Sequence, residues 1–345
     1  MSDRNGGQKC PQCGETGAAD AQWCEACGAD YAGEHASLEG PNCVDCGAEF
    51  QHIVDGYCGQ CGRKQPGVRD HLLESVGPVV AVTDRGKRHH LNEDAFAIGS
   101  VADRLIAVVC DGVSTTDHPQ DASLAAANAA RDHLVEALSE GDTDYQAMLV
   151  ACAAAGQAAA SAIPTVDGGH GPASTTFVAT VVVPDPDADL VRTWTAWLGD
   201  SRAYWVSNGV DDTLVVTQLT SDDSWGLQQV ASGEMSEEVA MADPRAQSIT
   251  RWLGADAVHT EPSIRVFEHD PGGRLLVCSD GLWKYVPESE ALGELLVKHA
   301  DLGSAEELAE ALVTFANESG GHDNTTIVIA SPEMGKDGET PRSIT

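Results

Sequence analysis

Five acidic pairs stand where apolar runs of the chain stop: Glu93-Asp94, Asp111-Gly112, Gly199-Asp200, Asp280-Gly281 and Asp323-Asn324. Asp beside Gly or Asn at a strand end is ordinary turn chemistry, and no single pair needs another explanation. Five in one stretch of chain, several capping runs apolar enough to be buried, point instead to carboxylates that converge. Converging carboxylates repel one another and need cations between them. An oxygen-only ligand set suits hard ions such as Mg²⁺ or Mn²⁺.

A second chemistry sits at the N-terminus. Eight of the eleven cysteines form four C-x-x-C pairs: Cys10/Cys13, Cys24/Cys27, Cys43/Cys46 and Cys58/Cys61. Each pair is followed by Gly (Gly14, Gly28, Gly47, Gly62), and Trp23 and Tyr57 occupy equivalent places before a Cys, so the segment is an internal repeat. A two-residue spacer turns both sulfurs toward one ion, and the Gly frees the backbone for the left-handed turn that follows. Four thiolates then close a tetrahedral zinc site whose binding energy folds a module too small for a core of its own. Two structural Zn²⁺ ions are expected. A rubredoxin-like iron site is the rival reading of Cys10-Pro11-Gln12-Cys13-Gly14, because thiolate geometry alone does not separate zinc from iron. Paired disulfides would require an oxidising compartment. Sequential and interleaved pairings of the eight cysteines both remain open. Cys110, Cys152 and Cys278 lie in apolar or Ala-rich settings and read as core.

Composition narrows the partners. Asp and Glu number 54 against 20 Lys and Arg, a formal net charge of −34. Such a surface repels nucleic-acid phosphates and anionic headgroups, which argues against DNA, RNA and membranes. Residues 1–9 are polar and do not read as a signal peptide. The Ala-rich stretch 147–163 carries Gln157 and Ser161 and falls short of a membrane span. A soluble, cytoplasmic protein is expected.

The elements that must position the acidic pairs follow from periodicity. Strands are expected from Val79, and over 95–98, 105–110, 175–183, 191–198, 203–206, 214–219, 263–267, 275–278 and 325–330. Helices are expected over 122–138, 145–163 (stopped by Pro164), 225–230, 248–253, 289–299 and 305–315. The predicted domains are a double zinc ribbon (1–64), a linker with one helical turn near 71–75 (65–77), a catalytic domain (78–331) and a disordered tail (332–345).

The ordered set of motifs in residues 78–330 resembles the metal-dependent type 2C protein phosphatase family. The matching stretches are Thr83-Asp84-Arg85-Gly86, Asn92-Glu93-Asp94, Cys110-Asp111-Gly112, Ser174-Thr175-Thr176, Leu198-Gly199-Asp200-Ser201-Arg202-Ala203-Tyr204, Leu219-Thr220-Ser221-Asp222-Asp223-Ser224, Ile249-Thr250-Arg251-Trp252-Leu253-Gly254, Ser279-Asp280-Gly281-Leu282-Trp283 and Asp323-Asn324-Thr325-Thr326. The N-terminal segment resembles the double zinc ribbons of prokaryotic signalling proteins. The resemblance implies an α+β fold: a four-layer α-β-β-α sandwich of two antiparallel sheets flanked by helices, preceded by two small zinc ribbons. It implies hydrolysis of protein phosphoserine and phosphothreonine by a hydroxide activated between two Mn²⁺ or Mg²⁺ ions. It also implies that Asp111 bridges the ions and that Gly112 serves the second through its carbonyl. Glu93 and Asp94 would hold waters of that ion, Asp280 and Asp323 would serve the first, and Asp200 with Asp280 would form a weaker third site. Phosphoprotein substrates, an opposing Ser/Thr kinase and a protein partner for the ribbons are the implied partners.

Two departures stand out. Many family members place a phosphate-gripping Arg four residues before the metal-site Glu; here His89 stands there, beside Arg88, and Arg88 or a protonated His89 is expected to take over the substrate phosphate, the alternative being that Arg88 merely caps a strand. Some relatives carry a His after the Asp-Gly pair as general acid; here Val113 stands there. Trp225, in the irregular segment 221–244 that corresponds to the family's flap, reads as packing. The alternative function is a non-catalytic regulator that keeps the fold and acts through its ribbons. A nucleic-acid role for the ribbons conflicts with the net charge.

Overall fold

The apolar run 105–110 must be covered on both faces, and in the computed structural model it is. That model describes residues 42–332 apart from 45, 55, 56, 64, 66, 167, 210–212 and 301, together with two short strands nearer the N-terminus. The chain divides into two compact units, Met1–Gly67 and Val68–Thr345.

In the first unit, β1 (Gln8–Lys9) pairs with β2 (Thr16–Gly17), and β3 (Ile53–Val54) pairs with β4 (Tyr57–Cys58), both antiparallel. Cys10, Cys13, Cys24 and Cys27, the proposed first zinc module, lie outside the described residues, as does 333–345 of the expected disordered tail.

The second unit begins with a hairpin of β5 (His71–Val76) and β6 (Val79–Asp84). A second hairpin joins β7 (Asp94–Val101) to β8 (Arg104–Asp111). Two helices follow, α1 (Pro119–Ser139) and α2 (Tyr145–Ser161). The chain then runs through β9 (Ser174–Thr175), β10 (Phe177–Asp185), β11 (Leu190–Leu198), β12 (Arg202–Asn208) and β13 (Leu214–Gln218). After α3 (Trp225–Ala231) and α4 (Glu237–Met241) come β14 (Leu253–Gly254), β15 (Ser263–His269) and β16 (Arg274–Cys278). The short α5 (Asp280–Trp283), α6 (Ser289–Val297), α7 (Ala305–Glu318) and β17 (Thr325–Ala330) complete the unit.

Two antiparallel sheets result, ordered β15-β11-β10-β8-β7 and β13-β12-β16-β17-β6-β5. Successive side chains of a strand point to opposite faces. On β8, Leu105, Ala107 and Val109 enter the core between the sheets, while Ile106, Val108 and Cys110 pack under α1 and α2. On β17, Val328 and Ala330 face the other sheet, while Ile327 and Ile329 pack under α6 and α7. This is the expected α-β-β-α sandwich. Small residues let the helices lie close: Ala122, Ala126, Ala127 and Ala130 of α1 are fully buried. Helix α7 starts with a capping box, in which the Glu307 N–H donates to Ser304 Oγ (3.1 Å) and the Ser304 N–H to the Glu307 carboxylate (3.1 Å). Its buried stripe is Leu308, Ala309, Leu312, Val313 and Ala316. Among the described residues, no helix is long and apolar enough to cross a membrane.

Two expectations need correction. Residues 71–76, read within a linker with a helical turn, form the edge strand β5. Its half-exposed side chains gave little apolar periodicity, and the pairing is imposed by β6 across a turn in which Gly77 takes φ +57°. Residues 248–253 are not helical: Ile249 bridges Ser224, and Leu253 begins a two-residue strand against β9. Of this segment only Leu253 is buried, so its apolar spacing does not mark a helical face.

Leu312 is fully buried against the outer face of the six-stranded sheet. Leu312→Ala is expected to lower unfolding free energy by about 2–5 kcal/mol, read as a shift of the urea midpoint at unchanged m-value. A loss under about 1 kcal/mol would contradict that burial.

Candidate metal and phosphate site

Neighbouring antiparallel strands run in opposite directions, so one end of the sandwich collects the starts of some strands and the ends of others. Asp94 starts β7 and pairs in register with Asp111, which ends β8. Asp84 ends β6 opposite Thr325, which starts β17 directly after Asp323-Asn324. Asp280 follows the end of β16, and Asp200 lies in the turn from β11 to β12. All five acidic pairs of the sequence therefore reach the same end.

The electrostatics register their convergence. Asp94 is 1% exposed, Asp200 7% and Asp280 8%. Burial, together with the charges of Asp280 and Asp323, pushes the Asp94 carboxyl up to about 7 against the help of the Ser279 hydroxyl. Burial and Asp280 push Asp200 up to about 7. Asp111 is driven well above the carboxylate range by burial and then by Asp94, Asp280, Asp200 and Asp323. Asp280 is raised by burial and Asp323, with Lys284 opposing.

Neutral side chains hold this charged cluster in shape. Buried Asn324 accepts from the Glu93 N–H (2.7 Å) and donates to the Arg85 carbonyl (2.7 Å) and the Leu91 carbonyl (3.1 Å), tying three segments together. Ser279 Oγ donates to Asp94 Oδ2 (2.7 Å) and accepts from the Thr326 N–H (2.9 Å). Thr176 Oγ1 accepts from the Asp111 N–H (3.0 Å) and pairs with Ser201 Oγ (2.8 Å). Ser114 donates to the Glu93 carboxylate. Gly112 is wedged so tightly that a Cβ would lie 2.7 Å from the carbonyl oxygens of both Glu93 and Pro119.

Arg69, Arg202 and Lys284 were given no role from sequence. Arg69 donates to the Asp94 carbonyl (3.0 Å) and the Gln120 carbonyl (3.0 Å), clamping the start of β7 to α1. Arg202 forks onto Asp222 (2.9 and 2.8 Å) and lies over the Trp283 ring at 3.8 Å, fixing α5. Lys284 reaches back one helical turn to Asp280 and lies 3.9 Å from Asp323. Only the i,i+4 spacing of Asp280 and Lys284 hinted at that contact. His89 Nε2 sits 3.2 Å from Asp323 Oδ1, so its side chain is directed at a carboxylate, whereas Arg88 is exposed. Trp225 packs under Arg245, whose guanidinium lies 4.0 Å over the ring.

The donor set fits divalent cations. It is all oxygen, and Asp280 Oδ1 is buried without a hydrogen-bond partner, which is costly unless a cation meets it.

In the first unit, Cys43, Cys46, Cys58 and Cys61 bring their sulfurs within 4.8 Å of one another, a group that could hold a metal ion. Cys43 and Cys61 are 3.6 Å apart, as are Cys46 and Cys58. Sulfurs about 2.3 Å from a shared tetrahedral ion lie near that separation, whereas a disulfide would hold them at about 2.0 Å. The two knuckles are near copies. Gly47 and Gly62 take φ +72° and +73°, and their N–H groups donate to the Cys43 carbonyl (2.9 Å) and the Cys58 carbonyl (2.7 Å). The Gln65 amide donates to Cys43 Sγ (3.3 Å). The Arg63 N–H favours the Cys61 thiolate, but burial and the other three thiols outweigh it and push the group up to about 12.

A sequence model of the protein phosphatase 2C family matches residues 83–317, and the chain belongs to that family. The serine/threonine phosphatase stp of Listeria monocytogenes is 36% identical over 141 residues, 41% of this chain and 52% of the relative. The serine/threonine protein phosphatase PstP of Mycobacterium tuberculosis is 29% identical over 255 residues, 72% of this chain and 44% of the relative. The chain thus spans about half the length of these curated relatives. Among solved structures, the S. agalactiae serine/threonine phosphatase superposes with a TM-score of 0.58 at 25% identity, over 76% of this chain and 100% of that one. The catalytic domain of PstP in complex with two manganese ions gives 0.53 at 27% identity, over 73% and 96%.

The raised carboxyls carry a pH signature. Unfolded, Asp94 and Asp200 lose their protons near about 4; folded, near about 7. Between those values the folded chain binds more protons, so stability falls as pH rises through the window. Without added Mn²⁺ or Mg²⁺, the thermal midpoint is expected to fall from about pH 5 to about pH 8, and saturating Mn²⁺ to flatten the fall. Asp94→Asn should raise the midpoint at about pH 8 without added Mn²⁺ by roughly 2–4 °C. A pH-independent midpoint in scanning fluorimetry would contradict the convergence.

Proposed function

We propose that the chain hydrolyses phosphoserine and phosphothreonine on proteins, opposing a cellular Ser/Thr kinase. The observation that carries this is the convergence of Asp94, Asp111, Asp200, Asp280 and Asp323 at one end of the sandwich. Asp111, the Gly112 carbonyl, Asp280 and Asp323 would hold two Mn²⁺ or Mg²⁺ ions, with Glu93 and Asp94 acting through water. Asp200 and Asp280 would hold a weaker third. Bound there, the ions supply Lewis acidity toward water and offset charge on the phosphoryl oxygens.

The chain's own groups support direct attack by water. Cys110, beside Asp111, and Cys278, two residues before Asp280, point into the outer cores, and burial pushes Cys278 up to about 12 and Cys110 well above the ordinary thiol range. Neither thiol is a nucleophile facing the carboxylates, so no covalent phosphoenzyme on them is invoked. Val113 carries no proton for the leaving group. His89 acts as a support for Asp323, which leaves exposed Arg88 as the phosphate grip. The full carboxylate set argues against the non-catalytic alternative.

The ribbons are proposed to be structural zinc modules that present a protein-binding surface: one of Cys43, Cys46, Cys58 and Cys61, the other of Cys10, Cys13, Cys24 and Cys27. Reduced, clustered thiols accord with action in the cytoplasm.

Phosphate release from a phosphothreonine peptide should require Mn²⁺ or Mg²⁺ and drop at least ~100-fold in Asp111→Ala or Asp280→Ala. Equal release in excess chelator would end this reading. Separately, metal analysis of the purified chain should return two zinc ions, falling to one in Cys58→Ser; iron or disulfides would replace the zinc assignment.

A further inference from the structure

Asp280 divides its two oxygens between two fates. Oδ1 is buried and unpartnered, while Oδ2 is taken by the Lys284 ammonium. The same ammonium lies 3.9 Å from Asp323 Oδ2, and the charge of Asp200 also acts on it. Its position is built rather than accidental. Lys284 caps α5, its N–H donates to the Asp280 carbonyl (3.0 Å), and the helix is pinned by Arg202, which covers Trp283 and donates to the Pro287 carbonyl (2.9 Å). Asp323 is braced from its other oxygen by His89 at 3.2 Å.

We infer that Lys284 is a tethered counter-cation that competes with the divalent ion for Asp280 and Asp323, so that its charge weakens metal binding and sets the metal level at which the centre loads. The argument is one of charge and space. A carboxylate oxygen paired with an ammonium is a poorer ligand for a divalent ion. An ion approaching Asp280 and Asp323 is also repelled by a positive charge that the fold holds against the same two groups. In return, the ammonium relieves the mutual repulsion of the carboxylates while the centre is empty of divalent ions. The chain carries its own partial substitute for a metal, and loading requires the side chain to leave Asp280 Oδ2 for solvent, toward which it is already 39% exposed.

This inference rests on the two-cation reading of the site, and the test separates the two. The zinc-loaded chain of 345 residues is titrated with Mn²⁺ alone, free ion being read by its electron paramagnetic resonance signal. Thermal midpoints are measured with and without Mn²⁺. Lys284→Met and Lys284→Gln should each bind Mn²⁺ roughly five- to twentyfold tighter than the parent, on the scale of one partly screened charge pair. Both should melt lower than the parent without Mn²⁺ and gain more from it. Lys284→Arg, which keeps the charge, should stay within about threefold of the parent affinity. Unchanged or weaker Mn²⁺ binding in the two neutral variants overturns the competition and makes Lys284 a support for Asp280. Absence of Mn²⁺ binding in the parent and all variants overturns the cation centre itself.

Discussion

The structure turns on carboxylates held together out of water at one end of a β-sandwich. Each is disfavoured by burial, and each is disfavoured again by its neighbours' charge, as the upward drives on Asp94, Asp111, Asp200 and Asp280 record. Left to itself such a cluster would splay apart or protonate. It persists because the surrounding fold over-determines it. Strand pairing fixes Asp94 against Asp111, Asn324 locks three segments, and Ser279 binds Asp94 while anchoring Thr326. The stability sacrificed at this end is supplied by three apolar layers elsewhere, a usual division between scaffold and site.

Strand alternation separates the two chemistries the sequence places side by side. Cys110 precedes Asp111, and Cys278 lies two residues before Asp280. On a strand, neighbours face opposite ways. Alternation therefore sends Cys110 outward under α1 and α2 while Asp111 reaches the rim between the sheets; Cys278 also packs outward as the last residue of β16, and the chain leaves the strand at Ser279 before α5 delivers Asp280. The separation keeps soft sulfur, which favours other metals, out of an oxygen-only set suited to Mn²⁺ or Mg²⁺.

What the sequence made legible follows burial. Strands with dense apolar patterns, such as 105–110 and 325–330, and helices with a clear stripe, such as α7, were readable nearly to their ends. Edge strand β5 was not, because one of its sides meets solvent and its pairing comes from β6. The false helix at 248–253 shows the converse: local apolar spacing without a helical partner surface. The five acidic pairs were legible as a constellation because each sits at a strand end. Their supports were not. Nothing in the residue type of Arg69 tells that it clamps the Asp94 carbonyl, nor in His89 that it turns onto Asp323, since both contacts are long-range products of the fold. The ribbon lay between these cases: spacing gave the ligands, and convergence of Cys43, Cys46, Cys58 and Cys61 supports sequential grouping for that module.

The net charge of −34 sets a problem for a site that would receive anionic phosphate. Long-range repulsion is screened within about 8 Å at physiological ionic strength, so only charges near the site govern binding there. The local inventory differs from the average. Arg85, Lys87 and Arg88 are three of the chain's twenty Lys and Arg residues, gathered on the loop after β6. That loop is tied directly to the carboxylate end, because Asn324 donates to the Arg85 carbonyl and the Lys87 N–H donates to the Gly321 carbonyl. Positive charge is thus concentrated beside Asp323 on an otherwise acidic molecule. For a chain that binds phosphate at this end, Lys87 and Arg88 would supply local attraction that the average charge withholds, Arg85 being paired with Asp70 at 3.3 Å.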